Sequence, residues 1–123
     1  MISVDSVDFS ITRTSFVSGH ICSIDYSYAL RIDKEKYQAG VSFSVCVILF
    51  GDDLLRDKPL GSPPYDTHVV ERDAVMPVKR SFAMPCEILD EAVGEDKIFI
   101  KICVAASDGE FLYERSATIH DWF

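Results

Sequence analysis

Glycine is scarce in this 123-residue sequence and never clustered: Gly19, Gly40, Gly51, Gly61, Gly94 and Gly109 each stand alone. A loop that cradles phosphate needs several glycines close together, so nucleotide enzymology is disfavoured. Basic side chains are outnumbered, 12 against 20 acidic, and the resulting formal charge of −8 repels phosphate backbones, which argues against direct nucleic-acid binding. The cysteines Cys22, Cys46, Cys86 and Cys103 form no CxxC pair, which argues against a structural zinc site or a thioredoxin-type motif. His20, His68 and His120 show neither HxH nor HxxxH spacing, and Gly-x-Ser-x-Gly is missing.

Long hydrophobic runs are missing as well. No stretch approaches the roughly 20 apolar residues that span a bilayer. The opening Met1-Ile2-Ser3-Val4-Asp5 has no basic segment leading into an apolar one. These features predict a cytoplasmic protein with reduced thiols. No run of five like charges, internal repeat or low-complexity segment occurs.

What is present is the composition of a folding chain. Apolar residues make up 48% and charged residues 26%, outside the range of disordered sequences, and the length suits one domain over residues 1–123. The dominant signal has a period of two. In Ile21 to Ile32, the residues Cys22, Ile24, Tyr26, Tyr28, Leu30 and Ile32 share one phase, while Ser23, Asp25, Ser27 and Arg31 share the other. This predicts a long antiparallel strand with one wet face. Near the N-terminus the apolar phase changes between Ile2/Val4 and Val7/Phe9/Ile11, which predicts a bulge near Asp5-Ser6.

Val41 to Phe50 is apolar on both phases towards its end and suits a central strand. Lys97 to Ala105 is a further strand, with Ile98, Ile100, Ile102 and Val104 on one phase and Phe99, Lys101 and Cys103 on the other. Asp108-Gly109 after it predicts a hairpin into a last strand, Phe111 to Ile119. Weaker strands are predicted at Thr67 to Arg72 and Val75 to Met84. Leu54 to Asp66, broken by Pro59, Gly61, Pro63 and Pro64, reads as a long loop. About seven strands at this spacing predict an all-β, antiparallel sandwich of the immunoglobulin-like or Greek-key type.

Function is far less legible, and three hypotheses follow. The first is a non-catalytic protein-interaction module that self-associates as a homodimer or larger. It would bind through a sheet face, the loop 54–66 with Tyr65, or the C-terminal aromatic pair Trp122 and Phe123. A strand apolar on both faces needs its outer side covered, and a second copy is one way to cover it. The second is an acidic inhibitor or immunity-type protein for a basic partner, motivated by the −8 charge. The third is a Ca²⁺-dependent ligand-binding or small hydrolytic domain. Its cation would sit among Asp52, Asp53, Asp57 and Asp66, although acidic residues beside glycine are also ordinary turn formers. No catalytic residue and no cofactor is assigned.

Overall fold

The computed structural model describes residues 2–17, 19–33, 35, 38–51, 58–60, 66–70, 75–89 and 96–121, with the backbone alone at 58, 66–70, 75 and 76. Two antiparallel sheets pack face to face. The smaller has the order β1-β2-β6, formed by Ile2–Phe16, Gly19–Ile32 and Val75–Pro85. The larger is centred on β3 (Phe43–Gly51) beside β7 (Asp96–Ala106). Two short strands, β4 (Lys58–Pro59) and β5 (Asp66–Val70), follow one another along the free edge of β3. Another two, β8 (Phe111–Arg115) and β9 (Ile119–Asp121), do the same along β7. Each short pair acts as one interrupted lane, so the sandwich has three lanes in one layer and four in the other. The chain changes layer after β2, after β5 and after β6, as immunoglobulin-like sandwiches do.

Alternation dictates the core. From β2, Cys22, Ile24, Tyr26, Tyr28, Leu30 and Ile32 point inward and are buried, the phase the sequence predicts. They meet Phe43, Val45, Val47 and Leu49 from β3 and Ile98, Ile100, Ile102 and Val104 from β7. Strand β1 supplies Ile2 and Val4, then Phe9, because the register slips between Asp5 and Asp8 where Ser6 takes a positive φ of 55°. One extra residue there restores the inward phase after two polar positions. The seam between layers is tied by the N–H of Ile2, which donates to the Glu110 carboxylate at 3.0 Å.

The hairpin at Asp108-Gly109 forms as predicted, with Gly109 at φ 98° and Ala106 bonded to Glu110 across three turn residues. Other expectations need correction. The last strand is interrupted at residues 116–118. There Ser116 stays in register with Ile100 while its buried hydroxyl accepts from the Ile100 N–H at 3.0 Å and donates to the Ala117 carbonyl at 2.8 Å. The side chain thus fills the ladder position that the bulged backbone vacates. The stretch 54–66 is not wholly a loop, since Lys58–Pro59 pairs with β3 and Leu60 is buried. Proline is tolerated there because β4 is an edge.

The expectation of four reduced thiols fails for two of them. Cys22 and Cys86 are joined by a disulfide, their Cα atoms 5.1 Å apart. The β2–β6 register sets Cys22 opposite Met84, and the 3-10 turn Cys86–Ile88 beyond Pro85 folds back over Cys22. Apolar neighbours signal that Cys22 is buried, but they cannot signal a partner 64 positions away. Cys46 and Cys103 are free. Among the described residues no helix is long and apolar enough to cross a membrane.

Two outcomes check this account. Ile102→Ala should cost about 2–5 kcal/mol in urea denaturation, whereas Ser10→Ala on the exposed side of β1 should stay within about 0.5 kcal/mol. Equal costs would mean that the two faces have been assigned wrongly. Ser116→Ala leaves the Ile100 amide without its side-chain acceptor, so a loss of about 1–3 kcal/mol is expected, with faster hydrogen exchange at that amide.

Candidate interaction face

The two outer faces of the sandwich differ in kind. On the smaller sheet the outward residues include Ser3, Ser10, Thr12, Asp25, Lys79 and Ser81, a hydrated surface. An open depression of about 420 Å³ there sets Asp8 and Asp25 near Lys79 and Arg80, so charges of both signs are already balanced within it. The Arg31–Asp5 ion pair at 2.8 Å lies on the same sheet. With both side chains about half exposed, it contributes little to stability.

The outer face of the larger sheet is apolar and aromatic. From β3 it presents Cys46, Ile48 and Phe50, all half-buried, and from β7 it presents Phe99, Lys101 and Cys103. Register continues the rows onto β8: Lys101 opposes Arg115, Cys103 opposes Tyr113 and Ala105 opposes Phe111. Phe50 and Phe99 stack at 5.2 Å between centroids. Lys101 Nζ lies 4.9 Å from the Phe50 ring centroid and 4.6 Å from that of Tyr113, bridging the two rings. The Arg115 guanidinium lies 3.5 Å over Phe99. Its Nε donates to the Ser116 carbonyl and an Nη to Thr118 Oγ1, bonds that hold the plane in place.

These cation–π contacts, worth about 0.5–2 kcal/mol each depending on desolvation, explain why Phe99 is only 1% exposed although it points outward. They leave the end of the face open: none covers Phe111, and Lys101 covers Tyr113 only in part. Phe111 and Tyr113 remain 60% and 58% exposed, side by side at 6.3 Å. A depression of about 330 Å³ between Phe99, Lys101 and Tyr113 is bordered by Glu114 and Arg115, so it carries both signs of charge beside apolar surface.

In the middle of this face, Cys46 and Cys103 stand directly opposite each other across β3 and β7. Burial pushes the Cys103 thiol up to about 11. Cys46 adds to the rise by its charge and its hydrogen bond, and Lys101 partly opposes it.

Of the residues singled out from sequence, Asp52, Asp53, Asp57, Tyr65, Trp122 and Phe123 lie outside the described residues. Asp66 is described only as the backbone that opens β5 opposite Val47. No group of three or more His, Cys, Asp or Glu that could hold a metal ion occurs among the described residues. The histidines are not brought together: His20 sits at the β1–β2 hairpin, accepting from or donating to Ser15 Oγ at 2.8 Å, while His68 and His120 lie on opposite edges of the larger sheet. Sequence reasoning missed Phe111 and Tyr113 as a pair with Lys101. It also missed Phe16 and Val17, exposed at the hairpin tip of the smaller sheet. Alternating aromatics after Asp108-Gly109 carried a signal for the first group, but which cation they meet depends on cross-strand register.

The Cys103 environment has a measurable consequence. A raised pKa keeps the thiol protonated, so alkylation at pH 8 should be slow and should accelerate as pH climbs towards about 11. Cys46→Ser removes two raising influences and should move that profile to lower pH, whereas Lys101→Met removes the lowering one and should move it higher. Peptide-resolved mass spectrometry of iodoacetamide labelling reads both shifts. No family model matches the sequence, and no curated protein does. Two solved structures are similar in shape. One, titled "X-ray structure of Northeast Structural Genomics Consortium target SoR45", is 7% identical, with 99% of this chain and 86% of that chain covered and a TM-score of 0.43. The other is a putative ApaA protein from Bordetella pertussis, 9% identical, with 100% and 94% covered and a TM-score of 0.44.

Proposed function

We propose that this protein is a non-catalytic interaction module that self-associates through the outer face of its larger sheet. The observation that carries the reading is the asymmetry of the two outer faces: one is a polar, charge-balanced surface, and the other bears Ile48, Phe50, Phe111 and Tyr113 with cations set among the rings. Exposed aromatic and apolar side chains gathered on one face favour burial against a partner. A second copy suits the charges. Lys101 and Glu114 border the same depression, and in a two-fold pair each residue that meets a counterpart is met by it in return. An acidic module for a basic partner is the alternative, supported by the net charge of −8, which would steer such a partner at low salt. A cytoplasmic location belongs to the same proposal, and Cys22–Cys86 weighs against it because disulfides persist mainly in oxidising compartments.

Light scattering coupled to size exclusion tests the reading at protein concentrations of tens of micromolar. The expected mass is about twice the 13.8 kDa of one chain. Phe111→Asp with Tyr113→Asp should return a folded monomer, because two buried charges would face each other across the pair. A wild-type chain that elutes strictly as a monomer at that concentration removes self-association. Salt-sensitive capture of a basic protein would then favour the alternative.

A further inference from the structure

The chain carries two cysteine pairs in contrasting places. Cys22 and Cys86 are bonded and buried, 0% and 3% exposed, between the layers. Cys46 and Cys103 are free and half-buried on the outer face, partly open to solvent. We propose that Cys46 and Cys103 form a modification site: a cross-strand dithiol that a low-molecular-weight disulfide, such as oxidised glutathione, converts to a reversible bond across β3 and β7.

The register supports closure. On β7 the Ile100 and Ala106 backbone groups bond towards the β8 side, so the odd-numbered residues, Cys103 among them, bond towards β3. Cys46 and Cys103 are therefore a hydrogen-bonded antiparallel pair, with Cα atoms about 5.5 Å apart, inside the range that a disulfide spans. Their Cβ atoms start at about 5.5 Å and must approach to about 3.8 Å, so closing the bond shears the two strands locally. A bond formed under that constraint belongs to the readily reduced kind, unlike the shielded Cys22–Cys86.

The chemistry balances as two thiol–disulfide exchanges. One cysteine thiolate attacks a sulfur of the small disulfide, forming a mixed disulfide and releasing one small thiol. The second cysteine then attacks the mixed disulfide at the protein sulfur, forming Cys46–Cys103 and releasing the second small thiol. Two electrons pass from the protein to the small disulfide, and the two thiol protons leave on the two released thiols. Because the two cysteines face each other as direct cross-strand partners, the second step is intramolecular and outruns accumulation of the adduct.

The test is incubation of the folded chain with oxidised glutathione in dilute solution, followed by denaturing alkylation, intact mass and peptide mapping. Alkylatable thiols at positions 46 and 103 should fall from two to none, with a mass loss of about 2 Da, no retained glutathione and a linked Cys46–Cys103 peptide. Cys46→Ser and Cys103→Ser, which lack the resolving thiol, should each retain one glutathione. Graded dithiothreitol should then open Cys46–Cys103 before Cys22–Cys86. A wild-type chain that holds two glutathiones or links position 46 or 103 to Cys22 or Cys86 would overturn the proposal, as would the reverse order of reduction. The same exchange run on the chain with Phe111→Asp and Tyr113→Asp, whose face is uncovered, separates the two proposals: no Cys46–Cys103 bond there overturns this one, whereas a bond there but none in the wild-type chain reflects a face covered by self-association.

Discussion

An antiparallel strand sends alternate side chains to opposite faces, and two central strands of this protein are apolar on both. In β3 and β7 the inward phase builds the shared core, from Phe43 to Leu49 and from Ile98 to Val104. The outward phase contains Cys46, Ile48, Phe50, Phe99 and Cys103, which have no second layer to enter. Folding satisfies the first phase and leaves the second to local devices or to a partner. Strand β2 shows the contrast, because its outward Ser23, Asp25, Ser27 and Arg31 need nothing beyond water.

The local device is cationic. Lys101 and Arg115 lie over rings drawn from three lanes, covering Phe99 and part of Phe50, in a chain whose overall charge is −8. The stems of long basic side chains cover apolar surface while their charges stay near solvent. The same cover lowers water access to the row above, and burial is the leading cause of the raised Cys103 pKa. Aromatic stacking, cation placement and thiol protonation are thus three consequences of one half-dry surface.

Sequence pattern revealed most of this fold because a period of two is a local property. The phase of β2, the bulge at Asp5-Ser6 and the hairpin at Asp108-Gly109 can all be read within a window of about ten residues. What stayed hidden depends on pairs distant in sequence. The Cys22–Cys86 bond needs the β2–β6 register, and the Lys101 bridge between Phe50 and Tyr113 needs three strands aligned at once. The break at Ser116 escaped notice for another reason: a serine in an alternating run looks like an outward residue, yet here its hydroxyl substitutes for backbone in the ladder. For the aromatic outer face, the pattern of residues 41–50 shows that β3 has an apolar outer side but not which residues end the row uncovered.

The dimensions of that face limit how tightly the proposed pairing could hold. Four lanes about 4.8 Å apart, crossed by a nine-residue β3, make a patch of roughly 19 by 30 Å in projection. A stable interface takes about 800 Å² from each partner, so the whole face must be used, including its rim at Phe111 and Tyr113. Binding energy concentrates in buried aromatic anchors rather than spreading evenly over area. On the proposed reading Phe111, exposed and with neither Lys101 nor Arg115 over its ring, is where a partner would gain most, with the half-uncovered Tyr113 beside it. A cross-strand bond at Cys46–Cys103 would lie in the row that Tyr113 ends, so a local shear of β7 there would act next to one of the two exposed rings.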